Sequence, residues 1–251
     1  MIVHIHGGSV VLESIANAGI EGDALEWCDV LVFGPTPRVE GGAWYDVRAR
    51  ALEELSGEPG PYRERLEAQD RALAAIDPEA EIVLWFGPEL FCQTILWALL
   101  AKLAGRPRVS LISPGDLPGK PRGCTVSYLS NDELHAAFSV RAAVTPAQTQ
   151  LAQSTWDAWR APDQRAVLTA LLSKDLSALP HLHDALTRWL AEPARTDQLI
   201  EAALRKGLKD WGEIFRDVQS AEPRPWLTDT LLLHRLAQKG LPPNSTAASK
   251  I

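Results

Sequence analysis

Hydrophobic positions along the chain come in two textures. In the first half, short apolar or β-branched runs each end at a glycine or proline break and give way to apolar residues on helical spacing. Ile2 to His6 is such a run; it stops at Gly7-Gly8, and Ser9 then stands before Val10, Val11, Leu12 and Ile15, which predicts a strand, a tight turn and an N-capped helix. A second strand is expected over 24–32, closed by Gly34-Pro35-Thr36-Pro37, where two prolines oppose further ladder pairing. Helices expected over 44–55 and 61–76 interleave Arg and Glu on solvated faces. The apolar run 81–86 is that of a strand buried on both faces, broken by Gly87-Pro88 before a helix over 89–104; residues 109–113 give a fourth strand and 125–129 a short edge strand. Strand alternating with helix predicts an α/β fold with a Rossmann-like, mostly parallel sheet.

From residue 131 the period is helical only, with helices expected over 132–138, 146–160, 163–172, 179–191, 196–206, 210–220 and 228–239. The expected division is an α/β domain over 1–125, an all-helical region over 126–240 and a flexible tail over 241–251. The helix over 89–104 is apolar on nearly every side, more than one sheet face requires, so a second surface must cover it. Cover by the helical region of the same chain, hence a monomer, is expected ahead of a two-fold homodimer.

Composition narrows the class. The 251 residues are 46% hydrophobic, enough for a core without disulfide or metal staples. Up to position 125 there are 18 acidic and 11 basic residues, and 14 of each thereafter, so the net charge of −7 sits in the first half. A pI near 5.4 lacks the basic footprint that phosphate backbones and anionic membranes attract. No apolar run approaches the roughly 20 residues that span a bilayer, and the first six residues do not read as a leader, so the expectation is a cytoplasmic protein without a membrane partner. Cys28, Cys92 and Cys124 are odd in number and scattered, the pattern of reduced thiols.

Several stretches, in order and spacing, resemble a known family. His4-Ile5-His6-Gly7-Gly8-Ser9-Val10 stands against a Gly-Asp-Ser start, Gly34-Pro35-Thr36-Pro37 against a Glu-Gly-Pro-x-Pro turn, and Leu84-Trp85-Phe86-Gly87-Pro88-Glu89-Leu90-Phe91-Cys92-Gln93 against Leu-Trp-Phe-Glu-His-Asp-Leu-Tyr-Asp-Gln. Further on, Val144-Thr145, the stretch Trp156 to Pro162, the stretch Ser177 to Leu182, and Glu213-Ile214-Phe215 with Gln219 fit its second half. The chain thus resembles the bacterial "domain of unknown function 1835" family, which implies a Rossmann-like N-terminal unit followed by helices and no settled activity. Against that family's polar positions this chain carries Gly8, Phe33, Gly87 and Pro88, while an acid at Glu89 and an amide at Gln93 persist; loss of those groups would suit binding without turnover.

In a doubly wound sheet the ligand crevice opens where strand order reverses, here between the first and third strands. That expectation gathers Gly7, Gly8 and Ser9, the Gly34-Pro35 loop, and Gly87, Glu89 and Gln93 into one ligand-binding edge. A helix N-terminus after Ser9 favours an anion, so the expected ligand is a small anionic metabolite or nucleotide, with the cofactor unknown. Glu89 is the expected acid or base if the protein is an enzyme, and Gln93, one turn on, shares its face. Cys92 is expected to be buried, inert and on another face. His4 and His6 share a strand face and form the sharpest metal hint, but Asp29, Asp116 or Glu89 would complete a site only by assumption, so no metal is assigned. The alternative reading is a regulatory or scaffolding protein whose last three helices bind a protein or DNA partner. Acidic side chains interleave with the basic ones there, which weakens the case for DNA.

Overall fold

A computed structural model of the chain describes residues 1–121, 123–224 and 226–241, apart from the side chain of Asp116; the tail expected beyond 241 lies outside them. Four parallel strands, β1 (Ile2–His6), β2 (Asp23–Glu26), β3 (Glu81–Trp85) and β4 (Val109–Ile112), and one antiparallel strand, β5 (Ala142–Ala143), form a single sheet in the order β2-β1-β3-β4-β5. The α/β fold with a helical second half is the one the alternating pattern predicts.

β3 is central and buried along its whole length, which is why Ile82-Val83-Leu84-Trp85 reads as a continuous apolar run. Its side chains alternate between two cores. Ile82 and Leu84, with Val3 and Ile5 of β1, face α3 (Tyr62–Ala75) and α4 (Leu90–Lys102). Val83 and Trp85 face α1 (Ser9–Asn17) and α5 (Asn131–Ser139), through Leu12, Ile15, Leu134 and Ala137. Helix α2 (Gly42–Ser56) packs on α3.

Two expected strands differ. The second is shorter than 24–32 because side chains pull the chain off the sheet after Trp27: the Cys28 amide donates to Gln69 Oε1 (2.9 Å), and Asp29 pairs with the fully buried guanidinium of Arg48 (2.8 Å). Arg48 also donates to the carbonyls of Val30, Phe33 and Pro35, so the whole 29–35 segment is hung on one side chain of α2. The strand expected over 125–129 is a 3₁₀ turn, Val126–Tyr128. Thr125 and Ser127 hydrogen-bond each other (2.6 Å), and a Ser130–Glu133 capping box starts α5 at once, leaving no extended run. The edge place is taken by β5, inside the half expected to be all helical; Arg141 fixes it beside β4 by an ion pair to Glu81 (2.7 Å).

Helices α6 (Pro146–Trp159), α7 (Gln164–Leu171) and α8 (Leu182–Leu190) follow. Thr145 caps α6 in a second capping box, with Pro146 at its first position. Together α6 and α8 cover the outer face of α4, whose residues from Cys92 to Leu100 are all buried; Trp97 and Trp159 meet edge to face at 5.6 Å. Cover for the all-apolar helix therefore comes from the same chain. Helices α9 (Ala194–Arg205), α10 (Trp211–Ser220) and α11 (Asp229–Gln238) close a smaller core of their own around Ile200, Ile214, Val218 and Leu232. Among the described residues no helix is long and apolar enough to cross a membrane.

Candidate functional site

Because β2 lies on one side of β1 while β4 lies beyond β3, the chain leaves β1 and β3 in opposite directions, and a cleft of about 340 Å³ opens outside their C-terminal ends. Its floor holds His6 from the end of β1, and Glu89 and Cys92 from the start of α4. Thr125 and Ser127 line one wall. The opposite wall comes from the helical half: Phe215 and Gln219 of α10, and Trp226 to Asp229 leading into α11.

Glu89 precedes the first turn of α4, and its carboxyl folds back over Gly87; a methyl on that glycine would stand 2.0 Å from Oε2. Although the residue as a whole is half-buried, Oε2 is buried and has no hydrogen-bond partner among the described residues. Burial raises the carboxyl to about 7, an effect that the nearby backbone, the Cys92 thiol and the Thr125 hydroxyl only partly offset. At neutral pH the group is poised between acid and base.

His6 is buried and pushed down to about 4 by that burial. The Gly8 amide donates to Nδ1 at 2.9 Å, which assigns the neutral ring's proton to Nε2, 3.9 Å from Cys92 Sγ. Cys92 is held as the thiol well above its ordinary range, by burial first and by the neighbouring Glu89 second, so it is not an activated nucleophile. Its expected inertness fits. Its placement does not, since it sits in direct contact with Glu89 rather than on a separate face.

The other expected site residues are distributed as follows. Gly7 packs against α4, where an added methyl would come within 2.7 Å of Phe91. Gly8 caps α1 and holds His6, and the Ser9 amide, the position expected to hold an anion, donates to Glu26 Oε1 at 3.2 Å. Gln93 is buried and donates to the Gly87 carbonyl (2.8 Å), fixing the turn that carries Glu89 instead of facing the cleft. Gly34 and Pro35 line a different cavity, with Trp159 and Arg160; Gly34 has φ +70° and lies so close to Ala51 that a methyl would approach its Cβ to 2.5 Å. Thus Glu89 joins His6 in the cleft with Gly87 beneath its carboxyl, while the Gly34-Pro35 loop stays apart.

His4 is committed at both ring nitrogens, Nδ1 accepting from Trp85 Nε1 (3.1 Å) and Nε2 facing the Glu21 carbonyl (3.2 Å). Asp29 is taken by Arg48, and among the described residues no cluster of three His, Cys, Asp or Glu side chains could hold a metal. A second His constellation, Ser113 Oγ with His181 Nε2 (3.1 Å), looks catalytic at first sight. Arg224, which can only donate, stands 3.2 Å from His181 Nδ1, so the ring proton is on Nε2 and the histidine cannot accept the serine's proton. That contact ties the end of β4 to the helical half.

The cleft residues missed by sequence reasoning are Thr125, Ser127 and the segment 226–229, which lie on turns and links with no periodic signal. Phe215 and Gln219 join them, because α10 reaches the cleft only through tertiary packing. No family model, curated protein or solved structure matches this chain.

Proposed function

We propose that this chain binds a small molecule in the cleft between the ends of β1 and β3 and exchanges a proton with it through Glu89. The observation that carries the reading is a buried carboxyl oxygen without a partner, at the strand-order reversal where doubly wound sheets hold their ligands. A carboxylic acid raised by burial inside a cleft is the usual mark of a working acid or base rather than of a structural ion pair. The neutral His6 imidazole and the Thr125 and Ser127 hydroxyls supply orienting hydrogen bonds around it.

The resemblance to the domain of unknown function 1835 family rests on motif order and assigns no reaction, so this reading stands on the site. An anionic ligand, expected from the glycine turns, has less in its favour: no lysine or arginine is among the described residues lining the cleft, and the Ser9 amide is already bonded to Glu26. A thermal-shift screen of small metabolites against the full chain tests the proposal. Ligands that raise the melting temperature should lose that effect in Ser127→Trp, which places an indole in the cleft from an exposed position, and should be weakened in Glu89→Gln. Shifts that persist in both variants would place binding elsewhere.

A further inference from the structure

Five buried side-chain polar atoms have no hydrogen-bond partner among the described residues, and two belong to this one cleft: Glu89 Oε2 and Gln219 Oε1. Both are oxygens. Gln219 has its amide nitrogen engaged by the Leu227 carbonyl (2.8 Å), which fixes the side chain with its oxygen as the unmet group. Asp229 adds a second carboxyl to the lining, and Phe91, Phe215 and Trp226 add aromatic surface. A buried acceptor asks for an N–H or O–H donor, carboxyls ask for positive charge, and aromatic walls favour a flat or cationic guest.

We infer that the ligand of this cleft is a small basic molecule with several N–H donors, a primary amine, amidine or guanidine on an apolar or aromatic body, bound by Glu89, Gln219 and Asp229. The inference rests on the ligand-binding reading above and names the chemistry of its guest. An amidinium carries N–H donors enough for both unmet oxygens together with the charge the carboxyls ask for. A quaternary ammonium has the charge without the donors, and a carboxylate has neither.

Binding of a cation is coupled to the charge on Glu89. The other titratable groups facing the cleft are His6 from β1, Cys92 from α4, Tyr128 from the 126–128 turn and Asp229 from α11, with Cys124 in electrostatic reach of Glu89. His6 is neutral down to about 4 and Cys92 stays protonated, so neither changes charge between pH 6 and 8, whereas Glu89 ionises near 7. An amidinium binding below pH 7 must expel the Glu89 proton, and its affinity rises with pH until that proton is gone.

Calorimetric titration of the full chain with benzamidine, benzylamine, benzyltrimethylammonium and benzoate decides the matter. At pH 8 benzamidine and benzylamine should bind at least about tenfold more tightly than the other two, the value of one charged hydrogen bond. Below pH 7 their affinity should fall by up to about tenfold per unit, with buffer-dependent heats that report proton release. Gln219→Leu and Glu89→Gln should each weaken benzamidine about tenfold or more, Glu89→Gln also removing the pH dependence. Equal binding of benzoate or benzyltrimethylammonium, affinity flat in pH, or no binding of either basic probe would overturn the inference. If uncharged or anionic ligands from the thermal screen then prove sensitive to Ser127→Trp, the cleft is a binding site for another chemistry. If no ligand is sensitive, the binding reading falls as well.

Discussion

Glu89 and His6 sit within one cleft and are shifted in opposite directions by the same burial, so they leave opposite marks on stability. Glu89 is raised: its folded form keeps a proton that the unfolded chain has already lost, so the stability it contributes is present below its ordinary value of 4.5 and is lost as pH rises through about 7. His6 is lowered: its contribution is present above 6.5 and is lost as pH falls through about 4. Glu89→Gln removes the first effect and should stabilise the chain at pH 8 by up to roughly 3 kcal/mol, while changing little at pH 4.5. Urea unfolding of the variant and the parent at both pH values checks this. An equal gain at the two would mean that the carboxyl is not held protonated by the fold. The parent's acid limb between pH 6.5 and 4 should flatten in His6→Gln for the complementary reason.

Among the elements, α4 carries both the site and the core, and its sequence shows the first role less plainly than the second. Its unbroken apolar run made the need for two covering surfaces legible, since a helix covered on one side alternates at a period of 3.6 and this one does not. The strands β1 and β3 were legible for the matching reason, their β-branched runs being buried on both faces. What could not be read was decided by contacts distant in sequence. The second strand ends early because Gln69 and Arg48, 41 and 19 residues away, take its polar groups, and the edge strand is Ala142–Ala143 because Arg141 reaches Glu81. Two alanines carry no strand signal, whereas Thr125 to Leu129 has β propensity that local hydroxyl bonds override. The Glu89 position was legible from its place after the central strand, but Gln219, which lines the same cleft, was not, because α10 arrives there only through tertiary packing. Within α4, Leu99 is fully buried in the largest apolar cluster, and Leu99→Ala should cost about 2–5 kcal/mol, read as a loss in the urea midpoint without a change of slope. A cost below about 1 kcal/mol would show that the core around α4 is loosely packed.

For the whole molecule, the two textures of the sequence do not correspond to two independent bodies. The largest apolar cluster runs without interruption from Val3 and Leu84 in the sheet through Trp97 and Leu99 to Trp159, Leu182 and Leu186 in the helical half. Polar contacts cross the same boundary: Thr36 donates to the Trp159 carbonyl, Arg160 reaches the Pro37 carbonyl, and Ser113 meets His181. The cleft follows that pattern, with its acid on α4 and its opposite wall on α10 and the start of α11, so the helical half completes the site as well as the core. A chain ending at residue 125 would leave the outer face of α4 bare, where Trp97 meets Trp159 of α6. It would also lose α5, which supplies Leu134 and Ala137 to the other face of the sheet. Uncovered apolar area of that kind costs about 25 cal/mol per Å² and exceeds the margin by which domains of this size are stable. The 1–125 fragment is therefore expected to bind a hydrophobic dye, to unfold without a cooperative transition and to associate with rising concentration, whereas the full chain unfolds cooperatively. A fragment that is monomeric by light scattering and melts sharply would show instead that the α/β half folds alone and that the helical layer is an addition to it.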